Sequence, residues 1–300
     1  MKGQALPKIQ ERMGVCSWSL RPESPRDLAL KVRACGVGRV QLALDPIRLG
    51  AWDIKETAAA LEAEGIVIAS GMMGMEGEDY STLDSIARSG GVRRAETWAA
   101  NRAAAAENAD IASALGIGLV TFHAGFLPPS GREVGGGERG VMVDRLRHLA
   151  ETFAAQGVRV GLETGQESAE RLGEVLNELD ALLPERARVG VNFDPANMVL
   201  YGMGEPVAAL EALMPRVVQV HIKDAVETVR PGEWGREVEV GTGSVHWPDF
   251  LRALVAAGWN VDEGIDLVIE REAGERRIED VCAAARVLIG AWGQIHGVDP

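Results

Sequence analysis

Cysteine is scarce in this 300-residue chain: Cys16, Cys35 and Cys282 stand far apart. Three such residues exclude a disulfide framework and any zinc-ribbon spacing, and they point to a reducing compartment. Basic charge is also short. With 31 Lys and Arg against 44 Asp and Glu the net charge is −13 and the isoelectric point lies near 5.0. That balance argues against the broad basic surface needed to bind a nucleic-acid backbone. No apolar run approaches the ~18–20 residues of a membrane helix, so no membrane partner is expected. The opening stretch MKGQALPKIQERMG lacks the apolar core of a secretory signal, and a cytoplasmic protein is the expectation. A glycine fingerprint for a dinucleotide after the first strand is missing as well. No organic cofactor is expected.

What is present is core. Hydrophobic residues make up 46% of the chain and charged residues 25%, ample for one large globular domain. Short apolar runs alternate with helical patterns along the whole length. Strands are expected over residues 13–20, 39–45, 66–72, 119–124, 158–163, 189–194, 217–221 and 265–270. Helices are expected over 25–35, 54–64, 94–115, 142–156, 169–182, 206–213, 248–257 and 278–292. Glycines at 36, 65 and 116 close three of them. The glycine-rich stretch 131–140 reads as a mobile loop, and 225–247 as a long excursion. Eight near-continuous apolar strands alternating with eight helices predict an α/β fold, a single (β/α)8 TIM barrel over residues 13–300, behind an N-terminal tail of residues 1–12.

The chemistry concentrates where strands end. The run VGVNFDPANM stops at Asp194, followed at once by Pro195. Three other strands stop the same way: VRVGLE at Glu163, VVQVH at His221 and LVIE at Glu270. In a barrel of this kind, the C-terminal strand ends carry the catalytic groups. Three carboxylates and one imidazole form a hard, mostly oxygen donor set. It suits one divalent metal ion, with Mn²⁺ the first expectation and Mg²⁺, Co²⁺ or Zn²⁺ alternatives. Such an ion polarises a carbonyl, and glutamates beside it can remove and return an adjacent proton. A single acidic residue at a strand end is ordinarily a helix cap or an ion-pair partner. Four such residues on consecutive strands are not explained that way.

Around these four stand further candidates for a substrate site. His123 ends the fourth strand in FHAG, and Trp18 lies near the end of the first. Gln41 and Asp45 share one face of the second strand, with Asp45 placed at the pocket or at a turn opened by Pro46. Lys223 and Asp224 follow His221 in HIKD; Asp224 is expected to orient a ligand or take up a proton, and Lys223 to fix a carbonyl or negative oxygen. Arg230 and Arg236 sit in the excursion, either solvated or reaching a substrate oxygen. Glu272 shares parity with Glu270. Gly241 and Gly243 in VGTGSV form a backbone turn rather than a phosphate loop, since no P-loop lysine follows. His246 is placed at the start of a helix.

The phrases LETG, NFDPANM, QVHIKD and GTGSVHW resemble the xylose isomerase-like barrel superfamily of sugar isomerases and epimerases, whose members include D-tagatose 3-epimerase, hydroxypyruvate isomerase, inosose dehydratase and endonuclease IV. The likeness extends over the barrel from residue 13 and is most specific between Glu163 and Glu270. It implies that Glu163, Asp194, His221 and Glu270 bind one divalent ion, with Glu163 and Glu270 also the acid/base pair. It implies a small-molecule sugar or keto-sugar substrate and a homo-oligomer, dimer or tetramer. Where many members carry a histidine three residues after the strand-six aspartate, this chain has Asn197, expected to bond a substrate hydroxyl. The three-zinc endonuclease centre needs that histidine and more; this chain has five in all. The lysine that true xylose isomerases carry just after the strand-five glutamate is also missing, since Thr164, Gly165 and Gln166 stand there. The expectation is a metal-dependent isomerase or epimerase that moves a proton through a metal-bound cis-enediolate. The rivals are a lyase acting on an inosose or 3-keto-glycoside, and a non-catalytic sugar-binding barrel.

Overall fold

The computed structural model describes residues 8–129, 137–230, 232–262 and 264–297. In chain order the elements are β1 Met13–Cys16, α1 Pro25–Ala34, β2 Arg39–Ala43, α2 Asp45–Arg48, α3 Ile54–Ala63, β3 Val67–Met72, α4 Leu83–Ser89 and α5 Ala95–Ala114. Next come β4 Leu119–Phe122, α6 Gly137–Ala155, β5 Arg159–Glu163, α7 Ala169–Leu182, β6 Gly190–Phe193, α8 Pro195–Leu200 and α9 Pro206–Leu213. The chain ends with β7 Val217–Ile222, β8 Asp224–Val226, β9 Arg236–Val238, α10 Trp247–Ala256, β10 Asp266–Ile269 and α11 Arg277–Ile295. Strands β1 to β7 and β10 close into a barrel in sequential order, every pairing parallel. All eight carboxyl ends therefore meet at one mouth, as the expected (β/α)8 architecture requires.

Local chemistry explains the boundaries. Helix α1 opens where the Ser24 hydroxyl accepts from the Asp27 N–H, with Pro25 in the first turn, and Gly36 closes it at φ +74°. Leu28, Ala29 and Val32 turn its apolar face onto the strands and are buried. One core, built on this pattern, fills the layer between the barrel and its helices. Inside the barrel the chain departs from apolar packing. Gln41, Ser70, Thr121, Asn192 and Gln219 point inward, buried, and form a polar layer under the mouth. Gln41 Nε2 donates to Thr121 Oγ1 at 2.7 Å, Gln219 Nε2 to Asn192 Oδ1 at 3.1 Å, and Ser70 Oγ to Gln219 Oε1 at 2.5 Å. Each buried amide thereby finds a partner, as it must away from water.

Several expectations are corrected. The first strand stops at Cys16, because residues 17–20 turn in a 3-10 helix that spends the Ser17 hydroxyl on the Ala43 N–H. Residues 9–12 are a 3-10 turn rather than loose tail, with Ile9 1% exposed in the core. Helix α6 begins at Gly137, not at residue 142, so the end of the expected 131–140 loop is helical; residues 131–136 of that loop lie outside the described residues. Short helices α2, α4 and α8 escaped the periodicity because each is under two turns. The excursion after β7 is also structured, pairing β8 with β9 as an antiparallel hairpin. No helix among the described residues is long and apolar enough to cross a membrane.

Candidate active site

Glu163 is the last residue of β5, His221 lies in β7, and Asp194 and Glu270 follow β6 and β10 directly. The structure brings all four together at the mouth. One ligand atom from each lies within 4.8 Å of every other, and none of the four residues is more than 4% exposed. Two neighbouring residues build this convergence. The Thr164 hydroxyl accepts from the Asp194 N–H at 2.8 Å and donates to its carbonyl, clamping the end of β5 to that of β6. Gly165 sits at φ +126°, and a side chain there would meet Asn197 Cβ at 2.2 Å. Only glycine permits both that backbone and that approach.

The orientation of each ligand follows from its other contacts. Asp194 caps α8: its Oδ1 accepts from the Asn197 N–H at 3.0 Å, while Oδ2 is buried with no hydrogen-bond partner. The helix-cap role and a ligand role thus use different oxygens. His221 Nε2 lies 3.1 Å from Asn192 Nδ2, but its shorter contact, at 2.7 Å, is with Gln41 Oε1, whose amide is oriented by its bond to Thr121. That contact assigns the Nε2 proton and leaves the Nδ1 lone pair facing inward. Nδ1 has no hydrogen-bond partner, yet it faces Glu270 Oε2 at 3.3 Å, Glu163 Oε1 at 3.5 Å and Asp194 Oδ2 at 3.7 Å. A lone pair aimed at three carboxylates is stable only with a proton or a metal ion between them. Burial lowers the imidazole's proton affinity, but Cys16, Glu163 and Glu270 more than reverse this, so His221 is held well above its usual value. The residues fit a divalent cation. Cys16 lies on the other side of the ring, 3.7 Å from Nε2, and burial pushes its thiol up to about 12.

The two glutamates differ in surroundings. Glu163 Oε1 accepts from Asn197 Nδ2 at 2.9 Å and lies 3.4 Å from His123 Nε2. Burial raises its proton affinity, but His123 and His221 bring it below the usual glutamate value. Glu270 Oε1 accepts from Trp18 Nε1 at 2.8 Å and Oε2 from Lys223 Nζ at 3.0 Å. Burial again raises it, and Lys223 and His221 hold it well below. Lys223 also reaches Glu272 Oε2 at 2.8 Å and Asn197 Oδ1 at 3.4 Å, so Asn197 and Lys223 in series link Glu163 to Glu270.

Above these four residues opens a cavity of about 470 Å³. Trp18, His123, Asn197, Lys223, Glu163 and Glu270 line it, as the sequence placed them, and so does Glu272. Other candidates are elsewhere. Asp224, expected at a ligand, is fully buried and accepts from the N–H groups of Gly241, Gly243 and Val245 and from Trp247 Nε1. A side chain at residue 243 would strike its carboxylate at 2.1 Å. The GTGS turn is therefore wrapped around the chain's own anion. Arg230, expected on a substrate oxygen, points to solvent beside Glu233, its side chain 75% exposed. Asp45 pairs with Arg48 and accepts from the Gly74 N–H, outside the cavity, and Arg236 is exposed in β9. His246 precedes α10 and pairs with Asp249. Sequence reasoning missed Glu78, Tyr80, Tyr201, Trp234 and Glu237, which also line the cavity. They lie in connections where no period marks which way a side chain faces.

The chain is thus a closed parallel (β/α)8 barrel with a buried carboxylate–imidazole cluster at its carboxyl mouth that could hold a metal ion. The chain belongs to the family described as xylose isomerase-like TIM barrel, whose model matches residues 30–288. It is similar to a xylose isomerase domain protein from Planctomyces limnophilus, at 31% identity and a TM-score of 0.79, over 89% of this chain and 93% of that one. It shares its fold with the 3-keto-D-glucoside 4-epimerase YcjR from E. coli, at 17% identity and a TM-score of 0.68, over 93% of this chain and 98% of that one. The uncharacterized protein YihM of Escherichia coli K12 is 26% identical over 192 residues, 62% of this chain; the match spans only 55% of YihM's length.

Proposed function

We propose that the protein is a divalent-metal-dependent isomerase or epimerase of sugars or keto-sugars. The observation that carries this reading is the pair of buried, partnerless atoms, His221 Nδ1 and Asp194 Oδ2, turned toward Glu163 and Glu270 on the floor of a cavity with room for a sugar. Glu163, Asp194, His221 and Glu270 would hold the ion, Mn²⁺ by preference. When bound there, it supplies a Lewis acid that makes a hydrogen beside a ketone acidic. Glu163 and Glu270 then divide the proton work: one carboxylate removes the proton and the other returns it from the opposite side. Trp18 and Lys223 fix both oxygens of Glu270, and Asn197 fixes one of Glu163, so neither carboxylate must reorganise as charge moves. Lys223 favours a second reading, elimination, because an ammonium beside the cavity can protonate a departing hydroxyl.

Metal analysis of the protein and of Asp194→Ala tests the site, with about one ion per chain expected in the first and loss in the second. Incubating a keto-sugar in D₂O with the metal-loaded enzyme tests the chemistry. Deuterium appearing beside the ketone, at unchanged sugar skeleton, is the expected result. Glu163→Gln and Glu270→Gln each reduce that exchange by roughly 10²–10⁴-fold. Wild-type exchange in both variants sinks the two-glutamate mechanism, and a dehydrated product assigns the lyase instead.

A further inference from the structure

The cavity is larger than a single sugar, and its outer part is built differently from its floor. The floor is buried: Glu163 is 3% and Glu270 4% exposed. Going outward the walls become aromatic and open, through the half-buried Tyr201 and Trp234 to Tyr80, which is 46% exposed. A packed six-carbon sugar fills on the order of 200 Å³, so about half of the 470 Å³ is left over.

The outer wall is preformed. The Trp234 ring meets Tyr201 edge-on at 4.9 Å, and Tyr201 meets Phe126 at 5.7 Å. The backbone beside Trp234 is fastened by Gly235 N–H to the Leu200 carbonyl at 3.1 Å. The same excursion is pinned at β9, where Glu237 accepts from Arg271 and from the N–H groups of Glu272 and Ala273. A rigid aromatic wall costs little ordering on binding, and the apolar face of a sugar ring is the surface that suits it.

The charge of the cavity excludes a different occupant. Among the described residues five carboxylates line it, those of Glu78, Glu163, Glu237, Glu270 and Glu272, against one ammonium, Lys223, already paired with two of them. Among the described residues no arginine lines it. The glycine turn that resembles an anion cradle has given its N–H groups to Asp224. A phosphate would find neither a fork of donors nor a favourable field.

Building on the isomerase reading above, we propose that the substrate is an uncharged glycoside of two units: a keto-sugar over Glu163 and Glu270, and a second ring or similar aglycone seated against Trp234 and Tyr201. Phosphorylated sugars are rejected. The test is equilibrium binding to the metal-loaded protein, followed by calorimetry, with four probes: fructose, fructose 6-phosphate, isomaltulose and lactulose. Isomaltulose carries at position 6 a neutral ring where fructose 6-phosphate carries the anion. At least one glycosylated ketose should bind about tenfold tighter than fructose, and fructose 6-phosphate weaker than fructose. In Trp234→Ala the ratio of glycosylated to free ketose should fall to within about twofold, while Trp234→Phe restores most of it. Fructose 6-phosphate binding tightest overturns the proposal, and so does a ratio unaffected by Trp234→Ala. If neither glycosylated probe exceeds fructose while fructose binds and exchanges its proton, the outer subsite is wrong and the isomerase reading stands. If no sugar binds although the metal does, both fall.

Discussion

At the scale of single residues, the site depends on groups that never touch a substrate. Gln41 is the clearest. Its carbonyl sets which nitrogen of His221 faces the carboxylates, and its amide is held in turn by Thr121. Gln41→Leu removes the acceptor but keeps the bulk, so it should weaken divalent-metal affinity by roughly 10–100-fold. Competition with a chelating dye measures this; affinity unchanged within twofold would mean that His221 is oriented by Asn192 alone. Glu167 is a residue-scale liability of another kind. It is 4% exposed, its Oε1 has no partner, and burial pushes its carboxyl up to about 8, with Arg171 only partly opposing. Its folded value lies above its unfolded value, so its contribution to stability is fully present below about 4.5 and is lost as pH rises through about 8. Glu167→Gln removes that dependence. Denaturation midpoints of variant and wild type should diverge in the variant's favour between those limits, by on the order of 2–4 kcal/mol at pH 8.5. Parallel curves across that range would show that Glu167 is not buried as an acid.

At the scale of elements, the decisive piece is the excursion after β7. It reads as an irregular connection, and its acidic residue reads as a functional group. In the structure Asp224 is the knot that ties it: four backbone N–H groups, those of Ala225, Gly241, Gly243 and Val245, and the Trp247 indole converge on one buried carboxylate. Asp224→Ala leaves those donors buried and unpaired, and should lower stability by about 3 kcal/mol. Limited proteolysis should then cut within 227–240 at protease levels that leave the wild type whole. Should Asp224→Ala keep its melting temperature and lose only turnover, the carboxylate acts on substrate and the anchoring role fails. The same loop carries Trp234 and Glu237 to the cavity, so its folding places part of the site's outer wall.

For the whole molecule, the barrel works as a frame that gathers charge it could not otherwise bury. Three carboxylates and an imidazole at the mouth are each fully enclosed, which is costly without a compensating cation. A cation that binds only the folded chain stabilises it by about 2.7 kcal/mol at a hundredfold excess over its dissociation constant. Thermal unfolding with Mn²⁺ should therefore occur several degrees above unfolding with a chelator, and Asp194→Ala should abolish the difference. An equal melting temperature in both conditions would argue against an ion at this mouth.

What the sequence determined by itself is periodic or terminal. Strand and helix alternation specifies a parallel sheet covered on both faces, and eight such units without a dinucleotide glycine fingerprint favour the closed barrel over the doubly wound open sheet. Carboxylates and a histidine at strand ends then specify a mouth, because parallel strands end together. Trp18, His123, Asn197 and Lys223 were legible for the same reason, lying at or just beyond those ends. The tertiary structure alone decided which way each side chain faces once the period stops. Asp224 and Lys223 are neighbours in HIKD, yet one is sealed under a glycine turn and the other opens on the cavity. Trp18 turned out to hold Glu270 through its indole N–H, a bond between residues 252 positions apart. Tyr80, Tyr201 and Trp234 come from three separate connections, and no local rule of propensity or spacing brings them to one wall. Their meeting is a property of the closed barrel, which fixes where every connection begins and ends.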